Sequence, residues 1–400
     1  MGMNRTAIAV AAVIACGYPA PGQVRVTKGA GGKTSIDPSG FRAAGGNSAQ
    51  FLQTLRSDLS RSGWFIEAPR GRSEVTLSGA CTEAGGRLRA ECAVVGVANR
   101  RTYLNKAFTS TGADPRPFAH RVADAIVEAV TGRRGMASAK LVMVGTRTKA
   151  KELYIAGSDG QGLVQLTQDR TVSVTPRWGP GNQVVYTSFL KGYPDVYLVD
   201  VQSGSRRRIS NYAGLNTGAD ISPDGQNVVL VLSKDGNPDV YVKNLQTDRL
   251  TRVTHTRQAA EASPCWSPDG RRIAYVSDAS GRPHLYTIDR GGNRGTRLTS
   301  RGTQNLDPDW GADGRIAYCT HRDGRYQIAV FDPNTMVDQV IPTPDNADYE
   351  NPSWAPDGRH IACTRTENYR AKVYILDTLG DTPVALTGYQ GDWYSPSWSP

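Results

Sequence analysis

The amino-acid sequence predicts a small α+β N-terminal domain followed by an all-β, six-bladed β-propeller that is closed by the C-terminal strand. Three observations support this fold class. A steady repeat fills the second half of the chain, a mixture of helix and strand patterns precedes it, and the last residues supply a strand that the first repeat lacks. A repeat of about 40–45 residues is typical of one four-stranded propeller blade.

The repeat is clearest at one anchor position, which is Trp in every copy but the second. The anchors are Trp178, Ile221, Trp266, Trp310, Trp354 and Trp398, at intervals of 43, 45, 44, 44 and 44 residues. Asp-Gly turns follow most anchors, because both residues tolerate a positive φ. The apolar runs 228–232, 273–276, 316–319 and 361–363 come next, and they predict the second strand of each blade.

The two ends of the array predict a closed ring. Residues 140–144, 152–156 and 163–167 provide three strands of the first blade, but no Pro-x-Trp strand precedes them. The chain ends in Ser-Pro-Ser-Trp-Ser-Pro at 395–400. We therefore expect the C-terminal strand to complete the first blade, which leaves no open edge between the two ends of the array.

Composition divides the chain into four segments. Residues 1–16 hold one cation before a short apolar run, which predicts a signal peptide because the run is too short to span a bilayer. Residues 17–46 are rich in Gly, Pro, Ser and Lys and are expected to form a flexible N-terminal segment. Residues 47–135 are expected to form the α+β domain, and residues 136–400 the propeller.

The end of the signal peptide has two interpretations. Residues 13–16 read Val-Ile-Ala-Cys, which is similar to a bacterial lipobox and predicts acylation of Cys16. Ordinary cleavage beside the small residues Ala15 and Gly17 fits equally well. Both a lipid anchor and an unlipidated mature chain stay open.

The α+β domain is predicted from helical and strand patterns in chain order. Phe51, Leu55 and Leu59 recur at helical spacing, with Asn47 or Ser48 as the cap. Strands are expected at 64–68, 75–81, 91–97 and 102–109. A second helix is expected to begin after residue 114 and to end at the glycine at 132.

The hairpin around Gly85 and Gly86 contains two cysteines. If Gly86 and Arg87 are the two loop residues, Cys81 lies directly opposite Cys92. An oxidising export compartment favours a disulfide between them. A hydrogen-bonded cross-strand site suits a disulfide less well, so a disulfide and two free thiols both stay open.

Charge is concentrated in the small domain. The chain carries a net charge of +10, and residues 17–138 contain 17 Lys and Arg against 9 Asp and Glu, while residues 139–400 contain 29 against 28. The arginines are scattered rather than arranged in a groove with aromatic residues, which disfavours a nucleic-acid interface. We expect a soluble basic surface with a modest attraction for acidic partners or lipid headgroups.

Catalytic and metal motifs are not found in the sequence. Propellers of this kind also occur in serine peptidases, but those need a Gly-x-Ser-x-Gly elbow, which the sequence lacks. The five histidines are far apart, and residues 307–314 lack the alternating ligands and distal Glu of a calcium loop. We expect no enzymatic activity, no cofactor and no metal site, although the sequence leaves open whether the channel holds an ion or a small ligand.

Several motifs together resemble the TolB family of the Tol-Pal system. They are Thr-Gly-Arg-Arg-Gly at 131–135, the recurrent Pro-x-Trp-Ser-Pro-Asp-Gly, and Pro-Ser-Trp-Ser-Pro at the C-terminus, and the similarity covers nearly the whole chain. The resemblance implies a monomeric periplasmic scaffold that is at most peripheral to a membrane. Such a scaffold binds a Pal-like peptidoglycan-associated lipoprotein through the propeller mouth and a TolA-like inner-membrane protein through its N-terminal segment. It supports outer-membrane integrity and constriction at cell division.

The resemblance also implies which residues contact these partners. The residues just before the anchors would face the lipoprotein: Leu215, Asn216, Gly218, Glu261, Ala262, Asn305, Asp307, Glu350 and Asn351. The residues that would face the TolA-like protein are Val24, Arg25, Val26 and Thr27. Independently of the family, the inner strands of a propeller converge on its channel, so the loops that enter them form a ring suited to grip a protruding partner.

Two features depart from the family pattern. The second repeat has Ala-Asp-Ile at 219–221 in place of Pro-x-Trp, and a lipobox is unusual for TolB. The alternative function is that of a free-standing secreted propeller that binds a small ligand, a glycan or another protein in its central channel.

Overall fold

A computed structural model describes residues 32–292, 294–386 and 388–400. The predicted signal peptide, Cys16 and the predicted partner segment Val24, Arg25, Val26 and Thr27 lie outside the described residues. The described chain forms the two predicted parts, a small α+β domain and a six-bladed propeller.

The α+β domain packs two helices on one face of a five-stranded sheet. Its elements are β1 (Thr34–Ala43), α1 (Gly46–Arg61), β2 (Phe65–Glu67), β3 (Val75–Ala84), β4 (Arg87–Gly96), β5 (Thr102–Thr109) and α2 (Pro115–Thr131). The strand order is β2-β1-β3-β4-β5. Phe51 and Leu55 of α1 and Phe118 and Ile126 of α2 are buried in its core, as their helical spacing predicts.

The expectation of a flexible segment over 17–46 is wrong for residues 34–43, which form β1. This strand lies inside the sheet, where it pairs in parallel with both β2 and β3. Its ladder shifts register between Asp37 and Gly40, so the two apolar residues that enter the core, Ile36 and Phe41, are five positions apart. The bulge therefore breaks the period-two pattern by which a strand is recognised.

The predicted cap of α1 is also wrong. The helix begins at Gly46 with Gly45 as its N-cap, and no side chain caps it. Both glycines have a positive φ, 68° and 49°, which lets the chain turn directly from β1 into the helix. Asn47 consequently lies inside the first turn and donates a hydrogen bond to Glu83 instead.

The second helix begins and ends where the sequence predicts. The Asp114 side chain accepts a hydrogen bond from the backbone of Arg116 at 3.0 Å, and Pro115 occupies the first turn. Gly132 ends the helix with φ 68°, and its N–H donates to the carbonyl of Glu128 at 2.8 Å.

The turn of the cysteine hairpin lies one residue earlier than predicted, so the predicted pairing of Cys81 with Cys92 is wrong. Gly85 and Gly86 form the turn, both with positive φ, so Cys81 pairs with Ala90, and Cys92 pairs with Gly79. The two thiols are buried diagonally on the core side of the sheet, and both are free. Burial raises the pKa of the Cys92 thiol to about 12.

The propeller contains six four-stranded blades. Blade 1 has β6 (Lys140–Gly145), β7 (Glu152–Gly157) and β8 (Val164–Gln165), and blade 2 has β9 (Ser173–Trp178), β10 (Gln183–Ser188), β11 (Asp195–Asp200) and β12 (Arg206–Ser210). Blade 3 has β13 (Asn216–Ile221), β14 (Asn227–Leu232), β15 (Asp239–Asn244) and β16 (Leu250–Arg252), and blade 4 has β17 (Glu261–Trp266), β18 (Arg272–Ser277), β19 (His284–Asp289) and β20 (Thr296–Arg297). Blade 5 has β21 (Gln304–Trp310), β22 (Ile316–Arg322), β23 (Arg325–Asp332) and β24 (Val337–Val340), and blade 6 has β25 (Asp348–Trp354), β26 (His360–Glu367), β27 (Arg370–Asp377) and β28 (Val384–Ala385).

The predicted closure of the ring is confirmed. The last strand, β29 (Trp393–Trp398), pairs with β6 and completes blade 1 in the order β29-β6-β7-β8. Trp398 pairs with Leu141 and Trp393 with Gly145. Both tryptophans are buried between the last and first blades, so the two ends of the array share one apolar core.

The α+β domain contacts the propeller at the end of the channel where the innermost strands finish. Arg61 donates to the carbonyl of Ser158 at 2.6 Å, and the Arg359 guanidinium lies over the Trp64 ring at 4.6 Å. Gly63 lies so close that a Cβ there would come within 2.5 Å of the Arg359 side chain. The domain therefore leaves the opposite end of the channel uncovered.

A histidine also lies between the two domains. His120 of α2 is hydrogen-bonded to Asp58 at 2.7 Å, and its other ring nitrogen is 3.7 Å from Asp159 of the propeller. Burial alone lowers the pKa of His120, but the hydrogen bond to Asp58 and the surrounding carboxylates outweigh it and raise the pKa above its ordinary value. Protonation of this ring therefore strengthens a contact between the domains.

Candidate functional site

The uncovered end of the channel is the candidate site, and we call it the mouth. It carries the connections that enter the innermost strands, among them 166–172, 211–215, 253–260, 298–303 and 341–347. Each innermost strand has a bulge near its mouth end, where the ladder to the next strand shifts register. The residues at the bulges have φ between 45° and 59° and line the channel: Thr175, Gly218, Ser263, Asp307, Asn351 and Ser395.

Three of the predicted partner-binding residues are buried. Asn216, Glu261 and Asn305 are at most 2% exposed, because they begin the innermost strands rather than lying in the loops before them. Asn216 bonds the backbone of the connection just before it, and Asn305 bonds the side chains of His284 and Thr320. The three side chains therefore bond within the propeller in this structure, and that they contact a partner stays a prediction.

Glu261 shows the physical reason most clearly. Its carboxylate accepts hydrogen bonds from Thr256 and Ser277, each at 3.1 Å, and burial raises its pKa to about 7. It ties the connection of blade 4 to the second strand of the same blade. Side chains at this repeat position are buried in all six blades, whichever residue type occupies it.

Six of the predicted residues reach the mouth or lie beside it. Gly218, Asp307 and Asn351 line the channel itself. Ala262 is exposed, and Leu215 and Glu350 are half-buried at the rim. The structure thus brings these six residues to one face, although nothing in it tests whether a partner binds them.

Asp307 joins three blades at the mouth. Its two carboxylate oxygens accept hydrogen bonds from Ser263 at 2.8 Å and from Asn351 at 2.9 Å. The side-chain oxygen of Asn351 in turn accepts a hydrogen bond from the Thr364 hydroxyl at 3.1 Å. These bonds fix the ring of bulge residues, so the mouth is rigid before any partner arrives.

Neighbouring blades are also joined deeper in the channel by a recurrent hydrogen bond. In four pairs of adjacent blades, the backbone N–H of an anchor donates to the side chain just before the anchor of the preceding blade. The pairs are Trp266 with Asp220 (2.8 Å), Trp354 with Asp309 (2.6 Å), Trp398 with Ser353 (3.1 Å) and Trp178 with Ser397 (3.0 Å). The last two bonds hold the closing strand between blades 6 and 2.

Arg177 occupies the same position in blade 2, where it cannot accept a hydrogen bond. It crosses the channel and pairs with Asp309 of blade 5 at 2.6 Å, and it donates to the carbonyl of Pro308 at 3.0 Å. Burial raises the pKa of nearby Asp220 to about 6, although the Arg177 charge acts in the opposite direction. Sequence reasoning missed Arg177, but it is the basic residue at a position that is Asp, Cys or Ser in the other copies.

The ion pair leaves little free space in the channel. The cavity between the bulge residues and the prolines beside them has a volume of about 60 Å³. Pockets that hold small organic ligands are typically about 300–1,000 Å³. The mouth is therefore a surface for contact rather than an enclosed ligand pocket.

In the described part of the chain, no group of three or more His, Cys, Asp or Glu side chains is arranged to hold a metal ion. Among the same residues, no helix is long and apolar enough to cross a membrane.

The fold and the mouth define a class of protein, the six-bladed β-propellers that carry an α+β domain at one end of the channel and leave the other end open. Residues 127–400 match the family model described as the TolB beta propeller domain. The chain belongs to the TolB family.

Individual relatives agree with this assignment. A protein TolB homolog from Chlorobium luteolum is 30% identical over 218 residues, which is 44% of this chain and 50% of that protein. The chain thus spans about half the length of this curated relative. The crystal structure of TolB from Acinetobacter baumannii has a TM-score of 0.82 at 26% identity and covers 92% of this chain and 97% of that one. A putative TolB from Agrobacterium tumefaciens, with a TM-score of 0.50 at 20% identity over 62% of this chain and 88% of that one, supports the fold alone.

Proposed function

We propose that this protein is a periplasmic, non-enzymatic scaffold of a Tol-Pal-like envelope system. In this proposal the mouth binds a Pal-like peptidoglycan-associated lipoprotein, and the segment Val24, Arg25, Val26 and Thr27 binds a TolA-like inner-membrane protein. The scaffold acts as a monomer, peripheral to the membrane at most, and supports outer-membrane integrity and constriction at division. Membership of the TolB family supports the proposal.

The observation that carries the proposal is the position and rigidity of the mouth. The α+β domain contacts the other end of the channel, so this domain does not stand between a partner and the bulge residues. The hydrogen bonds of Asp307 and Asn351 hold these residues in place before binding. A preformed polar ring loses little conformational entropy on binding, which favours docking of a folded partner.

The channel disfavours the alternative of a free-standing propeller that binds a small ligand or a glycan. Its cavity of about 60 Å³ is several times smaller than typical ligand pockets. The pair formed by Arg177 and Asp309 also crosses the channel. A glycan would need this pair, whose side chains are each 19% exposed, to separate, which costs several kcal/mol.

The test is capture of partners from an envelope extract by the mature chain. We expect the wild-type protein to recover a Pal-like lipoprotein, and the combined substitutions Asp307→Arg and Glu350→Arg to weaken capture. Glu128→Arg, on the exposed face of α2, is the matched control and should leave capture unchanged. Recovery of no such lipoprotein by wild type would count against the proposal.

The N-terminal part of the proposal has its own test. Deletion of residues 23–27 should abolish binding of the TolA-like protein and leave capture of the lipoprotein in place. Mass spectrometry of the mature N-terminus decides whether Cys16 is acylated or removed. Unchanged binding of the TolA-like protein after the deletion would move that site elsewhere.

A further inference from the structure

The mouth is electrically asymmetric. The connections of blades 1 and 2 on this face carry five exposed cations, Arg147, Lys149, Lys151, Arg170 and Lys191, which we call the basic sector. Within the described residues, no carboxylate lies within 4 Å of any of their charged groups. The basic sector is therefore a concentration of uncompensated positive charge on one side of the mouth.

The one carboxylate in the same connections is already neutralised. Asp169 pairs with Arg206 at 2.6 Å, and its side chain is only 6% exposed. It is thus unavailable to a partner and does not cancel the charge of the basic sector.

The basic sector is continuous. Lys151 and Val172 form a backbone bridge, and Ser173 donates to the Lys151 carbonyl at 2.8 Å. Phe189 donates from its N–H to the carbonyl of Val172 at 2.9 Å. The three connections that carry the cations are therefore joined side by side and present one surface.

Apolar side chains are exposed among these cations. Tyr193 is 76% exposed, Val172 39% and Phe189 37%. Lys151 lies 5.0 Å from the centre of the Tyr394 ring, which holds its charge at the edge of the channel. Aromatic groups beside cations are typical of surfaces that bind acidic protein segments, because the rings contribute contact area and the charges contribute selectivity.

The other side of the mouth has the opposite charge. Asp307, Asp323, Asp348 and Glu350 of blades 5 and 6 form an acidic sector, and no basic side chain lies within 4 Å of their carboxylates in the described structure. Of the nearby arginines, Arg322 pairs with Asp338 and Arg365 with Asp345. Arg325 donates to the Thr343 hydroxyl and the Asp345 backbone carbonyl, and the exposed Arg370 lies 3.9 Å from Asp392. Between the two sectors the rim carries both signs, with Arg282 and Asp278 as examples.

We propose that the mouth binds its protein partner in one orientation, with an acidic segment of the partner on the basic sector and a neutral or basic segment on the acidic sector. The inference rests on the proposed function in taking the mouth as the docking face. Complementary charge fixes the register of a complex and speeds encounter. A flat anionic membrane fits less well, because it would meet the acidic sector at the same time.

The test uses two charge-reversal variants with equal changes in net charge. The sector variant combines Arg147→Glu, Lys151→Glu and Lys191→Glu. The control variant combines Arg249→Glu, Arg271→Glu and Arg294→Glu, which are exposed at the end of the channel opposite the mouth. Far-UV circular dichroism at increasing temperature confirms that both variants are folded. The neutral pair Lys151→Gln and Lys191→Gln replaces the sector variant if that variant does not fold.

The probes are a fluorescent deca-glutamate peptide, vesicles of phosphatidylglycerol and the soluble domain of the Pal-like lipoprotein. We expect the sector variant to bind the peptide and the lipoprotein domain at least about tenfold more weakly than wild type, since three attractive charge pairs are lost and reversal adds repulsion. The control variant should change both affinities less than about twofold. Binding should weaken as salt increases.

Three results would overturn the inference. They are equal losses in the sector and control variants, binding of vesicles but not of the peptide, and wild-type affinity of the sector variant for the lipoprotein domain. The last result would leave the proposed function intact. If wild type does not bind the lipoprotein domain but binds the peptide through the basic sector, the proposed function fails and the inference of an acidic partner holds.

Discussion

Replacement of Trp398 by alanine tests the closure of the ring. The side chain is 4% exposed and packs between the last and first blades. A Trp side chain buries about 150–250 Å², which at about 25 cal/mol per Å² corresponds to about 4–6 kcal/mol. Within the described structure the indole N–H has no hydrogen-bond partner, so part of this gain is already lost to desolvation. We therefore expect a loss of about 3 kcal/mol in the free energy of unfolding.

Trp310→Ala is the matched control for this prediction. Trp310 is the anchor of blade 5, is 9% exposed, and donates from its indole to the Gly314 carbonyl at 3.0 Å. It belongs to an unbroken blade, so its loss should destabilise the protein without freeing an end of the chain. Urea unfolding followed by far-UV circular dichroism measures both losses, and limited proteolysis reports the freed end.

Only the Trp398 variant should be cut rapidly within the last strand. If the Trp398 variant keeps wild-type stability within about 1 kcal/mol and resists proteolysis as well as the Trp310 variant does, Trp398 does not hold the ring closed.

Further predictions concern the channel, the domain contact and the cysteines. Asp309→Ala should lower the free energy of unfolding by about 3–5 kcal/mol in urea titrations, because it leaves the largely buried Arg177 unpaired. Asp220→Ala should cost about 1–3 kcal/mol, and equal losses in the two variants would contradict the assigned ion pair. His120 has a raised pKa, so its contribution to stability is complete below the ordinary histidine pKa and is lost as pH rises through the raised value. The free energy of unfolding of wild type should therefore fall more, as pH rises above the ordinary histidine pKa, than that of His120→Gln. Parallel pH profiles of the two proteins would contradict this. Cys81 and Cys92 should react with iodoacetamide only after unfolding, because both thiols are buried and free. Two peptides joined by a Cys81–Cys92 disulfide in a digest of the protein would contradict this.

The propeller could be predicted from the sequence because each blade repeats the same local sequence signals. Anchors, Asp-Gly turns and apolar strands recur at nearly constant spacing, and the missing first strand pointed to residues 395–400, which overlap β29 (Trp393–Trp398). Strand β1 could not be found in this way, since its bulge removes the alternation between Ile36 and Phe41. The hairpin register failed for a similar reason, because either Gly85-Gly86 or Gly86-Arg87 could form the turn and one residue decides which side chains pair.

The site was harder to predict than the fold. Polar residues near the start of an inner strand look alike in sequence but have two different roles. Asn216 and Glu261 form hydrogen bonds to the connection before their strand, whereas Asp307 lines the channel. Burial separates the two groups, and burial depends on the bulge two residues further along. Arg177 went unnoticed because its role comes from an aspartate 132 residues away in sequence.

Photo-crosslinking in the living envelope can show whether the mouth is the docking face. A photoreactive amino acid replaces Tyr369, which is 96% exposed at the mouth, or Leu379, which is 38% exposed at the opposite end of the channel. We expect crosslinks to a lipoprotein from position 369 and none to that protein from position 379. Crosslinks to the lipoprotein from position 379 alone would contradict this expectation.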